Sequence, residues 1–294
     1  MKIPDYPSFR PLDLCDKSVL DRAFHADPPE NSEYTFTNLY SWRSAYGLGI
    51  SALGDLIILA PEKNGVKEYY PPIGRGDIKN TLKRILYDSG SRFIRVPERI
   101  KNIAMQDSNI RSEDDRDNYD YLYLADDLIN LKGRKYDGKR NFIKTFRSRY
   151  SYEYIQLTEA DVPEVLRFQD IWCVEKGCGQ SKSLQDESEA VRVMLSFISL
   201  FSLKAGALRV DAKICAVCIA EALNPETLVI HALKGASGMT GIYQTMFNEF
   251  LEREAVAYRY VNMEQDLGIP GLRKSKESYH PLDFVRKFSL SLSG

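Results

Sequence analysis

The sequence predicts a mixed α/β fold built from two halves of similar organisation, and three observations support this prediction. Segments in which apolar residues recur at helical spacing alternate along the chain with short, nearly continuous apolar runs that are typical of strands. Both halves follow the same order of helix, helix, hairpin, strand, helix and strand. The 294 residues are 44% hydrophobic and 28% charged, which is enough apolar material for a buried core.

The C-terminal half has the clearer pattern. Its predicted elements are a strand at 151–157, a helix that begins after Thr158, a helix at 186–204 ended by Gly206, a hairpin at 207–222 that turns at 211–213, a central strand at 227–233, a helix at 241–256 and a strand at 258–263. The central strand is apolar on both faces apart from His231, as is usual in the middle of a sheet. We interpret His231 as a core histidine whose hydrogen bonds are satisfied.

The N-terminal half repeats this order without obvious sequence identity. Its predicted elements are short helices at 18–24 and 38–46, a hairpin at 48–60 around Gly54 and Asp55, a strand at 66–70, a helix at 77–87 and a strand at 92–96. The aromatic residues between Tyr34 and Trp42 are interpreted as core. The shared order suggests a structural duplication, which is a hypothesis at this point.

A charge-segregated segment joins the halves, and we place the domain boundary there, giving domains at 1–130 and 131–294. Residues 113–127 are predominantly acidic and residues 132–149 are predominantly basic. Phe142, Phe146 and Tyr150 recur at helical spacing in the basic stretch, which predicts an amphipathic helix. Its basic face has two interpretations: a solvated face paired with the preceding acidic residues, or a surface for a phosphate backbone or an anionic membrane.

The most informative stretch, residues 260–281, begins in the last predicted strand and continues beyond its end. It contains two carboxylates, a tight turn, three cations and a phenol: Glu264 and Asp266, then Gly268, Pro270 and Gly271, then Arg273, Lys274 and Lys276, then Tyr279. Ligands of open α/β sheets bind beyond the carboxyl ends of strands, so this pattern predicts a site. A carboxylate there can act as a general base or bind an ammonium group, and a tyrosine can protonate a leaving group. A salt-bridge network among the same residues is the alternative.

A glycine-rich turn precedes the helix at 241–256. The order of strand, glycines and helix can present backbone N–H groups to a phosphate, and the candidate donor-binding residues are Lys234, Gly235, Gly238 and Gly241. Their spacing is neither that of a P-loop nor that of a dinucleotide fingerprint. An ordinary strand-to-helix turn is the alternative.

Composition limits the other function classes. The 40 basic and 41 acidic residues give a net charge of -1, so no global field favours a nucleic acid, although a local patch still can. No stretch approaches the ~20 continuous apolar residues of a membrane span, and the N-terminus has no apolar signal segment, so we expect a cytoplasmic protein. The 3 histidines include no pair at a metal-ligand spacing, and the odd number of 5 cysteines argues against a disulfide framework. Cys215 and Cys218 have the spacing of a zinc knuckle that Cys173 and Cys178 could complete, but a strand would point Cys215 and Cys218 to opposite faces, so we interpret these cysteines as buried, inert thiols. We expect no metal.

Three segments carry a resemblance to a known family: residues 34–42, residues 131–142, and residues 262–274 together with Ser278-Tyr279-His280-Pro281. They resemble the bacterial proteins grouped with the C-terminal domain of phosphatidylglycerol lysyltransferases, over nearly the whole chain. The order of hairpin, strand, glycine turn, helix and strand also resembles a GNAT acyltransferase domain. The resemblance implies two GNAT-like domains in tandem, each a mixed, mostly antiparallel sheet flanked by helices, with the substrate cleft in the second.

The resemblance also implies an activity. The lysyltransferases take an aminoacyl group from charged tRNA and place it on a lipid head group, and related tandem-GNAT enzymes build peptidoglycan bridges in the same way. The candidate catalytic residues are then Glu264, Asp266 and Tyr279, with substrate contacts from Asn262, Tyr243, Arg273, Lys274 and Lys276, and tRNA contacts from Lys132, Arg134, Lys135, Lys139 and Arg140.

Two departures from these families leave alternatives open. The turn at 234–241 lacks the coenzyme A pattern of Gln or Arg, two residues, Gly, one residue, then Gly or Ala, which favours aminoacyl-tRNA over acetyl-CoA or another acyl-CoA as donor. The multi-span membrane part of the lipid-modifying enzymes is not in this sequence, so a lipid head group, a small amine and a peptide are all candidate acceptors. We therefore predict an aminoacyltransferase, in the cytoplasm or at the inner membrane face and compatible with a monomer. A coenzyme A-dependent N-acetyltransferase and a non-catalytic binding module are the alternatives.

Overall fold

The structure is a computed structural model that describes residues 2–293. Its internal contacts divide the chain into two compact units. The first unit contains the chain up to Asp120, Gln265–Pro270 and the chain from Phe284 onward, and the second contains Tyr121–Glu264 and Gly271–Asp283. This division differs from the predicted boundary at 130/131, because the strand that starts at Asp120 pairs inside the sheet of the second unit.

Among the described residues, the chain up to Asp114 forms short strands and four α-helices. In order, these elements are β1 (Arg10–Pro11), α1 (Lys17–Ala26), α2 (Phe36–Tyr46), β2 (Gly49–Leu53), β3 (Leu56–Ala60), β4 (Glu62–Lys63), β5 (Val66–Lys67), α3 (Ile78–Ser89), β6 (Phe93–Pro97), α4 (Glu98–Ala104) and β7 (Ile110–Asp114).

The remaining elements belong mostly to the second unit. They are β8 (Asp120–Leu124), α5 (Ala125–Asn130), α6 (Asp137–Arg149), β9 (Tyr152–Gln156), α7 (Val162–Lys176), α8 (Lys182–Ser196), β10 (Lys204–Val210), β11 (Lys213–Asn224), β12 (Thr227–Gly235), α9 (Ile242–Glu254), β13 (Tyr260–Asn262), α10 (Pro270–Glu277), β14 (Asp283–Val285) and β15 (Lys287–Leu292), the last of which returns to the first unit.

The first unit contains two three-stranded sheets. One has the order β1–β2–β3 and the other the order β6–β15–β7, and their pairings are antiparallel. A core of buried side chains, including Ile58, Leu82, Phe93 and Leu290, joins these sheets to α3 and α4. Helix α3, predicted at 77–87, buries Leu82, Ile85 and Leu86, and Asp77 begins this helix by accepting a hydrogen bond from the N–H of Asn80 at 3.0 Å.

The second unit is organised around one large sheet in which the strands follow the order β8–β13–β12–β11–β10–β9. Every neighbouring pair in this series is antiparallel except β12 and β13, which run parallel and are connected through α9. Helices α7 and α8 pack on the sheet through a core that includes Phe168, Trp172, Met194 and Ile219. The prediction of a mixed, mostly antiparallel sheet flanked by helices is confirmed for this unit.

Local turn chemistry explains the elements that were predicted well. The β10–β11 hairpin turns through Asp211 and Ala212, which have φ of 50° and 58°, and such a two-residue turn matches the twist of the strands. Gly241, with φ of 88°, ends the glycine-rich turn and precedes α9. Both elements begin and end close to the predicted residues because short-range signals set their boundaries.

Three predictions are wrong in detail. The helix predicted at 186–204 is α8, which ends at Ser196, and Gly206 lies inside β10, where a Cβ would meet the ring of Tyr154. The strand predicted at 66–70 is only the two-residue β5. Cys173 and Cys178 form a disulfide, because α7 ends at Lys176 and the left-handed Gly177 turns the chain so that the two sulphur atoms meet.

The amphipathic helix predicted in the basic stretch is α6. Its buried side chains are Ile143 and Phe146, whereas Phe142 is 45% exposed, so the apolar face is rotated from the predicted one. No helix among residues 2–293 has the length and apolar character needed to cross a bilayer.

Candidate active site

The predicted site lies where the two parallel strands of the second unit diverge. The last residue pair between β12 and β13 is Val229 with Asn262, whereas β12 continues to Gly235. From Ile230 onward, that edge of β12 therefore has no strand beside it within the described part of the sheet. An opening between two parallel strands exposes backbone and side chains that would otherwise be covered, which makes it a common place for a ligand.

Glu264 stands at the end of β13 in a fixed backbone conformation. Its φ is 56°, which is unusual for a residue with a Cβ. Its N–H donates to Oδ1 of the buried Asn262 at 2.8 Å, and its carbonyl oxygen accepts a hydrogen bond from the N–H of Tyr121 at 3.2 Å. Asn262, predicted to contact substrate, thus holds the turn that directs the Glu264 side chain. A conformation that costs about 1–3 kcal/mol persists only where its surroundings enforce it.

A row of three ionisable groups crosses the opening. Nδ1 of His231 on β12 lies 2.8 Å from Oε1 of Glu264, and Nε2 of the same ring lies 2.7 Å from Oε1 of Glu221 on β11. The His231 side chain is fully buried, while Glu221 and Glu264 are 12% and 20% exposed. We call this arrangement the Glu221–His231–Glu264 row.

The row is charged in a defined way. Burial lowers the pKa of His231, but hydrogen bonds and charge from Glu221 and Glu264 outweigh burial and raise this pKa to about 10. At neutral pH the row therefore contains an imidazolium between two carboxylates and has a net negative charge. The partly exposed carboxylate of Glu264 is the part of it that a ligand can reach.

A β-bulge places His231 in this row. Ile219 pairs with Ala232 and Ala220 pairs with Ile230, so His231 is the extra residue on β12. Bulges re-aim side chains and are frequent beside active sites. The prediction of a satisfied core histidine agrees with its two hydrogen bonds, but local periodicity gave no indication that the partners would be Glu221 and Glu264. The available signals were one histidine in an apolar strand and one carboxylate in β11.

Lys276 fixes the chain on the other side of Glu264. It is 7% exposed, and its ammonium donates to the carbonyl oxygen of Met263. The hydroxyl of Tyr123 donates to the carbonyl oxygen of Lys276 at 2.8 Å. These bonds tie α10 to the residue before Glu264, so Lys276 supports the site from behind. On the same helix, Arg273 is half-buried and Lys274 is exposed.

Asp266, the second predicted catalytic carboxylate, lies in the first unit and is fully buried. It accepts hydrogen bonds from the N–H of Gly268 at 2.8 Å and from Arg116 at 3.3 Å. Around it, the N–H of Leu267 donates to the carbonyl oxygen of Asp117 at 2.8 Å. These contacts give Asp266 a clear part in shaping the turn after Glu264.

Tyr279, the predicted proton donor, is 6% exposed and packs edge-on against Phe247. Burial raises its pKa well above the ordinary value for tyrosine, so the phenol stays protonated. The Nζ atom of Lys139 lies 3.6 Å from the centre of the Tyr279 ring. Lys139 also bonds to Ser278, a pairing that the sequence gave no reason to expect.

Groups of the protein itself lie against part of the glycine-rich turn. A Cβ at Gly241 would lie 2.2 Å from the carbonyl oxygen of Phe142, so the backbone of α6 lies directly against this glycine. The N–H of Ala236 donates to the carbonyl oxygen of Cys215 at 2.8 Å, and the N–H of Ser237 points to a carboxylate oxygen of Glu175 at 3.4 Å. A carboxylate therefore occupies a position where a phosphate was predicted, while Gly238 has open space around it.

Lys234, the cation of this turn, already contacts other side chains of the protein. Lys234 is 3% exposed, and its Nζ atom lies 2.8 Å from Glu187 and 3.7 Å from the centre of the Trp172 ring. Burial lowers the pKa of Lys234. The hydroxyl of Tyr243, a predicted substrate contact, accepts a hydrogen bond from Trp172 and donates to the carbonyl oxygen of Gly235 at 3.1 Å.

The predicted tRNA contacts lie at and before the start of α6. Lys132 and Arg134 are exposed, Lys135 pairs with Asp127 at 3.1 Å, and Arg140 bonds to Asp137 and to the carbonyl oxygens of Leu131 and Gly133. Pairing with the preceding acidic stretch therefore occurs for Lys135. Next to them, a groove of about 520 Å³ between α5, α6 and α9 is lined by three cations and one carboxylate, together with polar and apolar residues: Arg140, Lys144, Arg147, Glu252, Asn130, Ser148, Asn248, Ile129, Leu131 and Ile143.

The fold and the family define a class, a transferase of the acyltransferase-like type. The chain belongs to the family of phosphatidylglycerol lysyltransferase C-terminal domains, whose family model matches residues 27–291. The resemblance inferred from the three sequence segments is thereby confirmed. A search of curated proteins found no match.

Solved structures agree with this family. A conserved protein of unknown function from Bacteroides thetaiotaomicron is 31% identical, with a TM-score of 0.89 over 97% of this chain and 99% of that one. L-PGS from Bacillus licheniformis is 15% identical, with a TM-score of 0.67 over 99% of this chain and 94% of that one. The C-terminal domain of a protein assigned as a lysylphosphatidylglycerol synthetase from Agrobacterium fabrum is 13% identical, with a TM-score of 0.66 over 94% and 92%. The last two similarities show a shared fold.

Proposed function

We propose that this protein is an aminoacyltransferase that takes the aminoacyl group of a charged tRNA and passes it to a nucleophilic acceptor. One observation carries the proposal: the partly exposed carboxylate of Glu264 at the strand divergence, held in the Glu221–His231–Glu264 row. An aminoacyl ester differs from most acyl donors by its α-ammonium group. A partly exposed carboxylate is a suitable hydrogen-bonding and electrostatic partner for that group.

The position of Glu264 suits a group that binds the donor ammonium. Its side chain is 20% exposed, and it shares the His231 imidazolium with a second glutamate, Glu221. Glu264 therefore orients the donor, with His231 and Glu221 as positioning residues. Binding the ammonium at a fixed point also fixes the ester carbonyl two bonds away, and such orientation is a large part of catalysis in acyl transfer.

The glycine-rich turn supports an aminoacyl-tRNA donor over an acyl-CoA donor. Groups of the protein lie against this turn. Phe142 closely approaches Gly241, the Glu175 carboxylate lies near Ser237, and Lys234 pairs with Glu187. A pyrophosphate brought to this place would meet two carboxylates and the backbone of α6. An N-acetyltransferase with coenzyme A at this turn is the alternative that these contacts disfavour.

The proposal includes a tandem GNAT-like architecture. In the second unit, the series β10–β11–β12–α9–β13 ends in the parallel pair β12 and β13. In the first unit, β2 and β3 are followed by an antiparallel bridge from Ile57 to Ile73, then α3, then a parallel bridge from Tyr69 to Phe93 in β6. The same order of pairings in both units supports the duplication that the sequence suggested. A phospholipid head group, an amine or a peptide remains the candidate acceptor, and a peripheral site at an anionic membrane is one setting for it.

A transfer assay tests the proposal. The protein is incubated with a panel of radiolabelled aminoacyl-tRNAs and, separately, with phosphatidylglycerol vesicles, small amines and peptides, and label is followed from tRNA to acceptor. We expect transfer from at least one aminoacyl-tRNA, lost in Glu264→Gln and retained in Glu226→Gln, whose carboxylate is exposed at the β11–β12 turn. Deacylation at the protein-free rate with every tRNA would refute the proposal and leave the coenzyme A donor or a binding module.

A further inference from the structure

Lys139 and Ser278 form a close pair that takes no part in the proposed ammonium-binding site. Nζ of Lys139 on α6 lies 2.6 Å from Oγ of Ser278, the residue that follows α10. The same Oγ donates to the carbonyl oxygen of Ser275 at 2.6 Å. Both side chains are partly exposed, so a ligand can reach them. A serine hydroxyl at hydrogen-bond distance from an amine is one arrangement by which proteins make a serine nucleophilic.

Burial favours the neutral form of Lys139, whereas the face of the Tyr279 ring at 3.6 Å attracts its ammonium form. No carboxylate among the described residues pairs with Lys139. The neighbouring cations on the chain have their own partners, Lys135 with Asp127 and Arg140 with Asp137. Burial lowers the pKa of Lys139 to about 8. A substantial fraction of this amine is therefore unprotonated in the physiological range, unlike an ordinary lysine.

The pair is held from several sides. Tyr279 is clamped by Phe247 on its ring and by the hydroxyl of Tyr136, which donates to its carbonyl oxygen at 3.1 Å. His280 packs edge-on against Tyr136, and its Nε2 atom lies 3.1 Å from the carbonyl oxygen of Lys135. The third group of a nucleophile–base–orienter set is thus the Tyr279 ring, which fixes the direction of the Lys139 side chain.

We propose that Lys139 and Ser278 are a serine–lysine dyad in which Ser278 accepts the acyl group of an ester donor and holds it transiently as a Ser278 ester. When Lys139 is neutral, the hydroxyl proton of Ser278 turns from the carbonyl oxygen of Ser275 to Nζ. This inference rests on the proposed function for the identity of the donor, since the nucleophile alone fits any acyl ester.

The step balances without a further reactant. Nζ of Lys139 removes the hydroxyl proton as Oγ of Ser278 forms a bond to the ester carbonyl carbon. The bond from that carbon to the ester oxygen then breaks, and the leaving ribose hydroxyl takes the proton from Lys139. An acceptor hydroxyl or amine next loses a proton to Lys139 and attacks the Ser278 ester, and Ser278 regains its proton.

Ser278 is connected to the Glu264 site through Lys276. Ser278 follows Lys276 by two residues, so their Cα atoms are at most ~7.6 Å apart. The Lys276 ammonium in turn contacts the carbonyl oxygen of Met263, the residue before Glu264.

A serine-directed fluorophosphonate probe tests the dyad without any tRNA. The full chain is treated with the probe, and the modified residue is located by peptide mass spectrometry. We expect one adduct at Ser278, absent in Ser278→Ala and unchanged in Ser275→Ala, whose side chain is exposed one turn earlier. The labelling rate should rise with pH through about 8 and then level off.

Lys139→Arg separates a base from a structural contact. Arginine keeps a positive charge and a donor for Ser278 but is not deprotonated in proteins. We expect the labelling rate to fall about 100-fold, the scale of a general base, with an unchanged melting temperature, whereas Lys144→Arg on the same helix should label normally. Absence of a Ser278 adduct in the folded wild type, or equal rates in Lys139→Arg and wild type, would overturn the dyad. Labelling of Ser278 without aminoacyl transfer would support the dyad and refute the proposed aminoacyl-tRNA donor. Aminoacyl transfer without labelling of Ser278 would support the donor and refute the dyad.

Discussion

Nδ1 of His231 lies 2.8 Å from the carboxylate of Glu264 across the opening between β12 and the end of β13. This contact joins a β-bulge residue to a residue with a left-handed backbone, and Glu221 completes it from the other side of the ring. The contacts with Glu264 and Glu221 make a histidine of an apolar strand an imidazolium at neutral pH. The following predictions test this row and the fold around it.

The His231 imidazolium makes stability depend on pH. Burial lowers its pKa, but the two carboxylates raise it from 6.5 to about 10, so the folded state binds the proton more tightly than the unfolded chain. The stabilisation is fully present below about pH 6.5 and is lost as the pH rises towards 10, at about 1.4 kcal/mol per pKa unit. The difference in unfolding free energy between wild type and His231→Gln should therefore shrink between these pH values. His25→Gln, at an exposed position of α1, should give a constant difference. Parallel curves for wild type and His231→Gln would contradict the charged row.

Gly241 is required for close packing, and Gly238 in the same turn provides the control. Both have positive φ, 88° and 79°, but only Gly241 has a backbone oxygen, that of Phe142, where a Cβ would stand. Gly241→Ala should be more destabilising than Gly238→Ala by about 1–3 kcal/mol, the usual cost of overpacking. Urea denaturation measures both. Equal losses would mean that α6 does not lie against the turn.

Coenzyme A should not bind at this turn. Binding at about 100 times the dissociation constant would stabilise the protein by ~2.7 kcal/mol, which is readily seen as a rise in melting temperature. We expect no rise with acetyl-CoA at millimolar concentration, because Phe142 and Glu175 occupy the turn. A rise that Gly241→Ala abolishes would support the N-acetyltransferase alternative.

A buried ion cluster anchors β15 in the first unit. Nζ of Lys287 has no exposed surface and lies 2.7 Å from Glu33 and 2.6 Å from Asp120. Lys287→Met should cost about 3–5 kcal/mol, because it removes the cation shared by two buried carboxylates and leaves Glu33 with Arg95 at 3.4 Å. Burial raises the pKa of Glu33, so protonation in acid should relieve part of this loss and narrow the gap from wild type. Lys63→Met, at an exposed position, serves as the control, and a loss that does not change with pH would contradict this explanation.

Local signals were sufficient for much of the fold. The β10–β11 turn at Asp211 and Ala212 and the start of α9 after Gly241 depend on residues adjacent in sequence, and both were predicted. The end of α8 was not, because residues 197–203 form turns and Gly206 is recruited into β10 by pairing with Cys218. Tertiary pairing overrode the local helical pattern there.

The site likewise has features that were predicted from local sequence and others that depend on long-range contacts. The sequence placed Glu264 just after a strand, and β13 ends two residues before it. The link from His231 to Glu264 requires the parallel pairing of β12 with β13 and a bulge, and the link from Lys139 to Ser278 joins α6 to the end of α10. Such contacts between residues far apart in sequence cannot be predicted from the periodicity of apolar residues. Lys234 and Asp266 were predicted to be site residues because of their charges. In the structure, Lys234 pairs with Glu187, and Asp266 accepts hydrogen bonds from Arg116 and Gly268.

The most direct measurement is the affinity of a hydrolysis-resistant 3′-aminoacylamido adenosine, compared by calorimetry with its analogue that lacks the α-amino group. If the Glu264 carboxylate binds the α-ammonium, wild type and Glu226→Gln should prefer the amino compound at least ~10-fold, as expected for the loss of ~1.4 kcal/mol or more from a charged hydrogen bond. Glu264→Gln should lose this preference and bind the two compounds with similar affinity. An undiminished preference in Glu264→Gln, or no preference in wild type, would contradict the proposed role of the Glu221–His231–Glu264 row.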